Sequence, residues 1–263
     1  MSLTKINFDS VKTELKKIKL IATDIDGTLT KNGQFSSQLL SSLETLKQQN
    51  ILVLLITGRS AGWCQGLVNY LPVWGIIAEN GGVYALKEYQ SMKPLTTIND
   101  LIKHRQLLQN NFEEIRQQFP HLQPSSDNQF RVTDWTFDCH ECSQKELLTI
   151  EKICQQKKWG FTYSNIQGHL KPLNQNKANG LRNLKETYFQ ELSYSEIMTV
   201  GDSPNDESLF DKNLFPMNVG VANIAKYLDR LEHKPGYITN LSESDGFCEL
   251  VQLLLETNEN KSN

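Results

Sequence analysis

The feature that most constrains this chain is an abrupt change from apolar to acidic residues in the stretch 20–27, Leu-Ile-Ala-Thr-Asp-Ile-Asp-Gly. Residues 20–22 fit a buried strand of a parallel sheet. Asp24 and Asp26 then share one face, about 7 Å apart while the chain stays extended. Open α/β sheets bind ligands at the carboxyl ends of their strands, and crowded carboxylates need a cation or a shared proton. The stretch therefore predicts a ligand site that contains a magnesium ion.

The same acidic stretch is compatible with a plain turn or with a calcium loop. A calcium loop of the EF-hand type carries oxygen ligands at alternate positions and a glutamate at its twelfth residue. A loop that begins at Asp24 reaches Phe35 at that place, and phenylalanine has no side-chain oxygen. The calcium interpretation is therefore excluded, whereas the turn stays open.

The composition is that of an ordinary globular protein, with 263 residues, 38% of them hydrophobic, 22% charged, and a formal net charge of -3. This length allows one large domain or two smaller ones. Because no block of basic residues is present, we expect no nucleic acid partner. Because no apolar run approaches the roughly 18 residues of a membrane span, we expect no membrane association. Nothing in the sequence indicates an oligomeric state.

The five cysteines form an odd set, which argues for reduced thiols rather than for a disulfide framework. We therefore expect a cytoplasmic protein. Cys139 and Cys142 have the spacing of a zinc or redox motif, but no second pair of cysteines or histidines follows at a suitable distance. A zinc or redox function is therefore not predicted.

Three further apolar segments have the length of buried strands and also end in polar residues. They are residues 51–56 before Thr57-Gly58-Arg59-Ser60, residues 75–78 before Glu79-Asn80, and residues 197–200 before Gly201-Asp202-Ser203-Pro204-Asn205-Asp206. Ser60 fits the cap of the following helix. Helix-like segments separate the strands, which is typical of a doubly wound parallel sheet. We therefore predict an α/β fold whose four polar strand ends meet at one edge.

Two of these strand ends carry motifs that resemble those of the haloacid dehalogenase-like phosphohydrolase superfamily. Asp-x-Asp-Gly-Thr at 24–28 is similar to its first motif, and Gly-Asp-x-x-Asn-Asp at 201–206 is similar to its fourth. Thr57 occupies the place of the second motif, and Lys177 that of the third. The likeness covers almost all of residues 19–255. It implies a Rossmann-like core and a magnesium-dependent reaction at a phosphate ester.

The resemblance implies a role for each core residue in phosphoryl transfer. Asp24 attacks phosphorus to form an aspartyl-phosphate, and Asp26 protonates the leaving oxygen and then deprotonates the hydrolytic water. Thr57 and Lys177 hold the phosphoryl group, whose spreading negative charge an ammonium stabilises. Lys171 competes for the place of Lys177, but its position before a proline suits a hinge better.

The resemblance also implies a magnesium site made of oxygen ligands. The carboxylates of Asp24 and Asp202 and the backbone carbonyl of Asp26 coordinate the ion together with a phosphate oxygen. Asp206 holds either a metal-bound water or Lys177.

Four other residues at the strand ends are candidates for contact with the substrate. Gly58 lets the backbone approach a ligand. Arg59 either grips phosphate or sugar oxygens or forms a surface ion pair. Asn80 either contacts the substrate or serves the Asn-Gly-Gly turn, and Asn205 donates to the phosphate or to the attacking carboxylate.

Residues 82–170 interrupt the alternation of strands and helices. They include a polar helix near 99–119, a β-like segment at 129–139 and a second helix near 143–158. This interval indicates an inserted α+β domain, similar in position to the C2 cap of Cof-type sugar phosphatases, sucrose-phosphate phosphatases and phosphomannomutases. We therefore expect a core of residues 1–81 and 171–263 beneath a cap of residues 82–170.

Several polar and aromatic residues of the cap are candidates for binding the leaving group, although they also fit plain decoration of a strand. They are Arg131, Asp134, Trp135 and His169. If the cap confers specificity, replacing Arg131 or Trp135 by alanine raises KM for the best sugar phosphate and spares a small generic ester.

The function that the sequence predicts is magnesium-dependent hydrolysis of a small phosphomonoester, with a sugar or sugar-acid phosphate as the expected substrate. A phosphoprotein is too large for a site beneath a closed lid. Two alternatives stay open, namely a sugar phosphomutase of the same superfamily and a catalytically silent sugar-phosphate sensor. Phosphate release, interconversion of isomers, or binding alone distinguishes the three.

Overall fold

The computed structural model describes residues 4–5, 8–87, 91–164 and 167–259. Residues 1–3, 6–7 and 260–263 of the predicted core and residues 88–90 and 165–166 of the predicted cap therefore lie outside the described part. The strands are β1 (Thr4–Lys5), β2 (Leu20–Thr23), β3 (Leu52–Ile56), β4 (Gly75–Ala78), β5 (Val83–Leu86), β6 (Lys93–Pro94), β7 (Trp135–Asp138), β8 (Trp159–Tyr163), β9 (Gln167–Pro172), β10 (Ile197–Gly201), β11 (Met217–Gly220) and β12 (Tyr237–Ile238). The α-helices are α1 (Phe8–Leu15), α2 (Ser37–Gln48), α3 (Ala61–Tyr70), α4 (Leu101–Gln118), α5 (Gln144–Gln156), α6 (Lys177–Tyr188) and α7 (Glu243–Glu259). None of these helices is both long and apolar enough to cross a bilayer.

Nine strands form one large sheet in the order β1-β12-β11-β10-β2-β3-β4-β5-β6. Neighbouring strands are parallel from β1 through β4. The last two pairings, β4 with β5 and β5 with β6, are antiparallel. This parallel-dominated sheet with its crossover connections confirms the predicted α/β fold class.

Helices cover both faces of the large sheet, because successive side chains of a strand point to opposite sides. On β2, Ile21 joins an apolar cluster that includes side chains of α1, α2, α3 and α7. Leu20 and Ala22 join a second cluster, which includes side chains of α6. All four residues of β2 are buried, so its carboxyl end is held rigidly next to Asp24.

A second sheet of three antiparallel strands, in the order β7-β9-β8, packs with α4 and α5 around its own apolar cluster. Both helices begin with side-chain caps, since Asp100 accepts from the N–H of Lys103 and Ser143 accepts from that of Glu146. This α+β unit lies in the interval predicted for the cap, and we propose that it is the cap.

The predicted cap boundary at residue 82 differs from the point where the two sheets separate. The turn at Asn80-Gly81-Gly82 returns the chain alongside β4, so β5 and β6 hydrogen-bond to the large sheet. Val83 and Tyr84 pack into the clusters on its two opposite faces. At the other end, β9 continues to Pro172 in the small sheet. We therefore propose that the cap begins after β6 and ends with β9.

Only part of the predicted β-like segment 129–139 is a strand, because residues Ser126–Phe130 belong to a 3-10 helix. The amide of Asn128 donates to the carbonyls of Ser125 and Thr136 and accepts from the N–H of Thr136. These bonds satisfy backbone groups of Ser125 and of Thr136 on the edge strand β7.

Candidate active site

Backbone hydrogen bonds join the polar strand ends at one edge of the large sheet. The N–H of Asp24 donates to the carbonyl of Val200 at 3.0 Å, and the N–H of Asn80 donates to the carbonyl of Thr57 at 2.9 Å. The side chains of these polar residues are buried, as is that of Asp202. The carboxyl ends of β2, β3, β4 and β10 therefore meet, as the sequence predicts.

Lys177 lies at the centre of this edge and is fully buried. Its Nζ donates to Oδ1 of Asp24 at 2.5 Å and to Oδ1 of Asp206 at 2.6 Å. The side chain of Asn176 accepts from the N–H of Asn179 at 2.8 Å, which fixes Lys177 as the first residue of α6. Burial lowers the pKa of Lys177, but the charges of Asp206 and Asp24 outweigh that effect and raise it. Lys177 is therefore a fixed ammonium ion.

Lys171, the competing lysine, points elsewhere. Its Nζ donates to the carbonyl of Gln175 at 2.5 Å, and burial lowers its pKa to about 8. The geometry therefore favours Lys177 over Lys171 as the lysine of the site.

Asp206 is held by the loop that follows β10. Its Oδ2 accepts from the backbone N–H groups of Asp202 at 2.9 Å and Ser203 at 3.1 Å. Since its Oδ1 accepts from Lys177, both of its oxygens are occupied by the protein. Of the two roles predicted for Asp206, the geometry favours orientation of Lys177.

Asp202 is oriented by three neighbours. The Thr28 hydroxyl donates to its Oδ1 at 3.3 Å, and the Asn223 amide donates to its Oδ2 at 2.8 Å. A Cβ at Gly27 would come 2.5 Å from that same Oδ2, and the φ of Gly27 is +85°, so only glycine fits there. Asn223 is not among the residues predicted from the sequence, although it follows β11, another strand of the same sheet.

Three buried carboxylates converge beside Lys177. One oxygen from each of Asp24, Asp202 and Asp206 lies within 4.8 Å of the others. Burial, which the charge of Lys177 opposes, raises the pKa of Asp24 to about 7, and burial together with the charge of Asp24 raises that of Asp202. Because one ammonium does not balance three carboxylates, the group is suited to a divalent cation, and hard oxygen ligands fit magnesium.

Asp26 and Arg59 form a bidentate ion pair at the rim of the site. The Nε and Nη2 atoms of Arg59 donate to the two carboxylate oxygens of Asp26 at 2.8 and 2.7 Å. The side chain of Arg59 is 39% exposed and that of Asp26 is 34% exposed. The guanidinium also lies over the ring of Trp63. The structure thus shows Arg59 as an ion-pair partner that borders the site.

The remaining predicted residues lie around these groups. Asn80 has a φ of +52°, as expected for the Asn-Gly-Gly turn, and its Oδ1 accepts from the amide of Asn205 at 3.3 Å. The hydroxyl oxygen of Thr57 accepts from the N–H of Arg59 at 3.1 Å. Asn80 thus serves the turn and also orders a neighbour in the site.

A cavity of about 70 Å³ opens between the strand ends and the cap. Its lining comprises Asp24, Asp26, Thr57, Gly58, Arg59, Ser203 and Asn205 of the core and Ser164, Gln167 and His169 of the cap. Of the four cap candidates, His169 is part of this lining, whereas Arg131, Asp134 and Trp135 are not.

Arg131 joins the cap to the core. Its guanidinium is fully buried and donates to the carbonyl of Gly58 at 3.0 Å, to Asp134 at 3.0 and 3.1 Å, and to Asp127 at 2.9 Å. Trp135 packs against the apolar cluster of the cap. These contacts give both Arg131 and Trp135 a structural role.

Glu79 is a second link between cap and core, and the sequence analysis did not single it out. Its buried carboxylate accepts from the N–H groups of Ala61 at 3.0 Å, Val132 at 2.9 Å and Thr133 at 2.6 Å. Glu79 thus caps α3, in place of Ser60, whose hydroxyl forms no capping hydrogen bond within the described part of the chain.

Comparisons with known proteins identify relatives that match most of the chain. The sequence profile of the family described as sucrose-6F-phosphate phosphohydrolase matches residues 17–249. Phosphoglycolate phosphatase 1 of Saccharolobus solfataricus is 29% identical over 245 residues, which cover 91% of this chain and 96% of that protein.

Solved structures share the fold. One from Thermoplasma acidophilum has a TM-score of 0.72 at 21% identity and covers 90% of this chain and 98% of its own. The sucrose-phosphatase of a Synechocystis species, solved with sucrose and phosphate, has a TM-score of 0.64 at 18% identity and covers 91% of this chain and 98% of its own. Because the family profile spans all four strand ends, the chain belongs to the sucrose-6F-phosphate phosphohydrolase family of haloacid dehalogenase-like phosphatases.

Proposed function

We propose that this phosphatase acts in the cytoplasm on a small phosphomonoester, preferably a sugar phosphate, through an aspartyl-phosphate on Asp24. The observation that carries the proposal is the buried contact of Lys177 with both Asp24 and Asp206. A fixed ammonium beside a carboxylate nucleophile stabilises the negative charge of a phosphoryl group in transfer. The sugar-phosphate and phosphoglycolate names of the relatives support a small ester as the substrate.

In the first half-reaction, an oxygen of Asp24 attacks phosphorus, and the bond from phosphorus to the ester oxygen breaks. Lys177 holds Oδ1 of Asp24, so we assign the attack to Oδ2. The hydroxyl of Thr57 donates to a phosphoryl oxygen. The leaving oxygen takes a proton from Asp26 and departs as an alcohol.

In the second half-reaction, water attacks the phosphorus of the aspartyl-phosphate. Asp26 accepts the proton of this water, and the bond from phosphorus to Asp24 breaks. Inorganic phosphate leaves, and both aspartates return to their starting states.

The ion pair of Asp26 with Arg59 has a consequence for this proton transfer. Both carboxylate oxygens of Asp26 accept from Arg59 in the structure, so the pair must open and the freed carboxylate must take up a proton from solvent before Asp26 protonates the leaving oxygen. Opening frees the guanidinium of Arg59, and we assign it to the oxygens of the substrate phosphate.

The cation that we propose is Mg2+. The carboxylates of Asp24 and Asp202 and the backbone carbonyl of Asp26 would hold it, and it would neutralise charge on the phosphate. Asp206 is assigned to Lys177, because both of its oxygens already accept hydrogen bonds from the protein.

The size of the cavity supports a small leaving group. Its volume of about 70 Å³ is far below the roughly 300 to 1,000 Å³ that is usual for drug-sized ligands. Because Arg131 and Glu79 dock the cap on the core, a large phosphoprotein has no direct access.

The test is a screen for phosphate release from sugar phosphates and phosphoglycolate in the presence of Mg2+, with Asp24→Asn as the control. We expect release by the wild type and none by the variant. Interconversion of isomers without release would instead indicate a mutase. Binding without either reaction would indicate a sensor.

A further inference from the structure

The histidine of the cap faces the same cavity as the nucleophile. His169 lies on β9, is 2% exposed, and lines the cavity together with Asp24 and Asp26. Its ring lies against the backbone of Gly58, where a Cβ would come 3.0 Å from its Cε1 and 3.2 Å from its Nε2. Glycine at position 58 therefore leaves the space that the imidazole occupies.

Asp134 fixes the orientation and the tautomer of this imidazole. The Nδ1 of His169 lies 2.9 Å from Oδ2 of Asp134, which is fully buried. Arg131 donates to both oxygens of Asp134, which keeps that carboxylate ionised. Because an ionised carboxylate only accepts hydrogen bonds, Nδ1 carries the proton and donates a hydrogen bond to Asp134. Nε2 is then the nitrogen directed away from Asp134.

The environment favours a neutral imidazole. Burial lowers the pKa of His169, and the opposing hydrogen bond and charge of Asp134 do not restore it. Arg131 and Lys171 add positive charge nearby, which acts in the same direction as burial. In this state Nε2 has a free lone pair and accepts a hydrogen bond.

Among the described side chains that line the cavity, none is a cation left uncommitted for an anionic leaving group. Among the residues that line it, Asp24 and Asp26 are acidic, and Arg59 is the one basic side chain. Arg59 is paired with Asp26 and, in the proposed reaction, is assigned to the phosphate. A carboxylate on the leaving group would therefore meet acidic side chains and a nitrogen that only accepts, whereas a hydroxyl group has a proton to donate to that nitrogen.

We propose that Nε2 of His169, oriented by Asp134, accepts a hydrogen bond from a hydroxyl group of the leaving alcohol and so selects neutral hydroxylated esters over esters that carry a carboxylate. This inference rests on the proposed phosphatase function and names its substrate class. His169 is the residue that contacts substrate, and Asp134 is a positioning residue. His169 and Asp24 line the same cavity, so a leaving group bound beside Asp24 lies near the histidine.

The test compares esters that differ only at the end of the leaving group. Propyl phosphate, hydroxyethyl phosphate and phosphoglycolate end in a methyl group, a hydroxyl group and a carboxylate, and glycerol phosphate is a longer hydroxylated ester. The value of kcat/KM for phosphate release with Mg2+ is measured for each. For the wild type, we expect the better of the two hydroxylated esters, hydroxyethyl phosphate or glycerol phosphate, to have a kcat/KM about tenfold above that of propyl phosphate. This is the effect of one hydrogen bond to a buried acceptor. Phosphoglycolate should be the poorest of the four.

Variants assign this preference to the imidazole. In His169→Leu, which has no acceptor, the ratio for hydroxylated ester over propyl phosphate should fall to about two or less. His169→Gln keeps a side-chain acceptor and should retain part of the ratio. The matched control is His140→Leu, an exposed histidine of the cap, which should leave the ratio unchanged.

The outcomes separate this inference from the function on which it rests. A wild type that favours propyl phosphate or phosphoglycolate, or an unchanged ratio in folded His169→Leu, would overturn the role of His169 while phosphate release stands. If circular dichroism shows that His169→Leu is unfolded, two other results test the role of His169. They are the order of kcat/KM values of the wild type and the ratio of hydroxylated ester to propyl phosphate in His169→Gln. Release from none of the esters would overturn the proposed function and the inference together.

Discussion

The ammonium of Lys177 lies 2.5 Å from Oδ1 of Asp24, and both side chains are buried. The same ammonium donates to Asp206, so one residue of α6 orders carboxylates from two strand ends. The positive charge at the centre of the site therefore comes from a single residue, and removing it should affect both catalysis and stability.

Lys177→Met is expected to lower kcat at least about 100-fold, because the developing negative charge loses its fixed partner. It should also lower the free energy of unfolding by about 3 to 5 kcal/mol, since two buried carboxylates lose their counter-charge. Phosphate release and urea denaturation measure the two effects. Lys185→Met, on the same helix but partly exposed, is the control, and equal behaviour of the two variants would contradict the assignment.

The stability of the metal-free protein should fall as the pH rises. Burial raises the pKa of Asp24 from a usual value near 4 to about 7. Its protonated form therefore contributes stability that is complete below a pH of about 4 and is lost as the pH rises through about 7. Over this window we expect a loss of a few kcal/mol in EDTA, measured by denaturation at each pH.

Added Mg2+ should restore that stability near pH 7, because a cation bound by the ionised carboxylates stabilises the folded state. Asp24→Asn removes one titrating group and should reduce the dependence of stability on pH between these values, because Asp202 still titrates with a raised pKa. If the free energy of unfolding of Asp24→Asn changed with pH as steeply as that of the wild type, other groups would cause the loss of stability.

Glu79→Gln should loosen the cap. The substitution places an amide donor where the carboxylate now accepts from Ala61, Val132 and Thr133, so at least one buried N–H loses its acceptor. We expect a loss of about 1 to 3 kcal/mol in stability and faster hydrogen exchange at the amides of Val132 and Thr133. Glu191→Gln, at an exposed position, controls for the change of charge, and slow exchange in Glu79→Gln would contradict the role of this carboxylate.

Arg131→Ala should act on stability more than on substrate choice, which revises the expectation from the sequence. Its guanidinium is fully buried against Asp134, Asp127 and the carbonyl of Gly58, and its loss leaves Asp134 poorly compensated. We expect a decrease of about 3 to 5 kcal/mol in the free energy of unfolding. The values of kcat/KM for a sugar phosphate and for a generic ester should both fall, the first somewhat more, because Arg131 keeps the Asp134 partner of His169 ionised. A rise in KM for the sugar phosphate alone would support the earlier interpretation.

The strand-end positions of Asp24, Thr57 and Asp202 are predictable because each lies one or two residues after the end of an apolar run. Parallel strands bring such positions to one edge whatever the loops do. Lys177 is 153 residues from Asp24 in the chain, and the likeness to a family, rather than periodicity, identified it.

Other features depend on contacts that no local pattern carries. The carboxylate of Glu79 accepts hydrogen bonds from the N–H groups of Val132 and Thr133, which lie more than fifty positions later in the chain. Asn223 lies in a short 3-10 helix, and only the fold brings its amide beside Asp202. Strand β5 falls within the predicted cap interval 82–170, yet its residues pack into the clusters on both faces of the large sheet.

Trapping the covalent intermediate tests the role of Asp24 most directly. The protein is mixed with Mg2+ and its best ester, quenched in acid within one turnover, and treated with borohydride, which reduces an aspartyl-phosphate to homoserine. Mass spectrometry of the peptide that contains residues 24–28 should then show homoserine at position 24, and Asp24→Asn should show none. Phosphate release without any modified aspartate, or modification at another residue, would contradict the proposed mechanism.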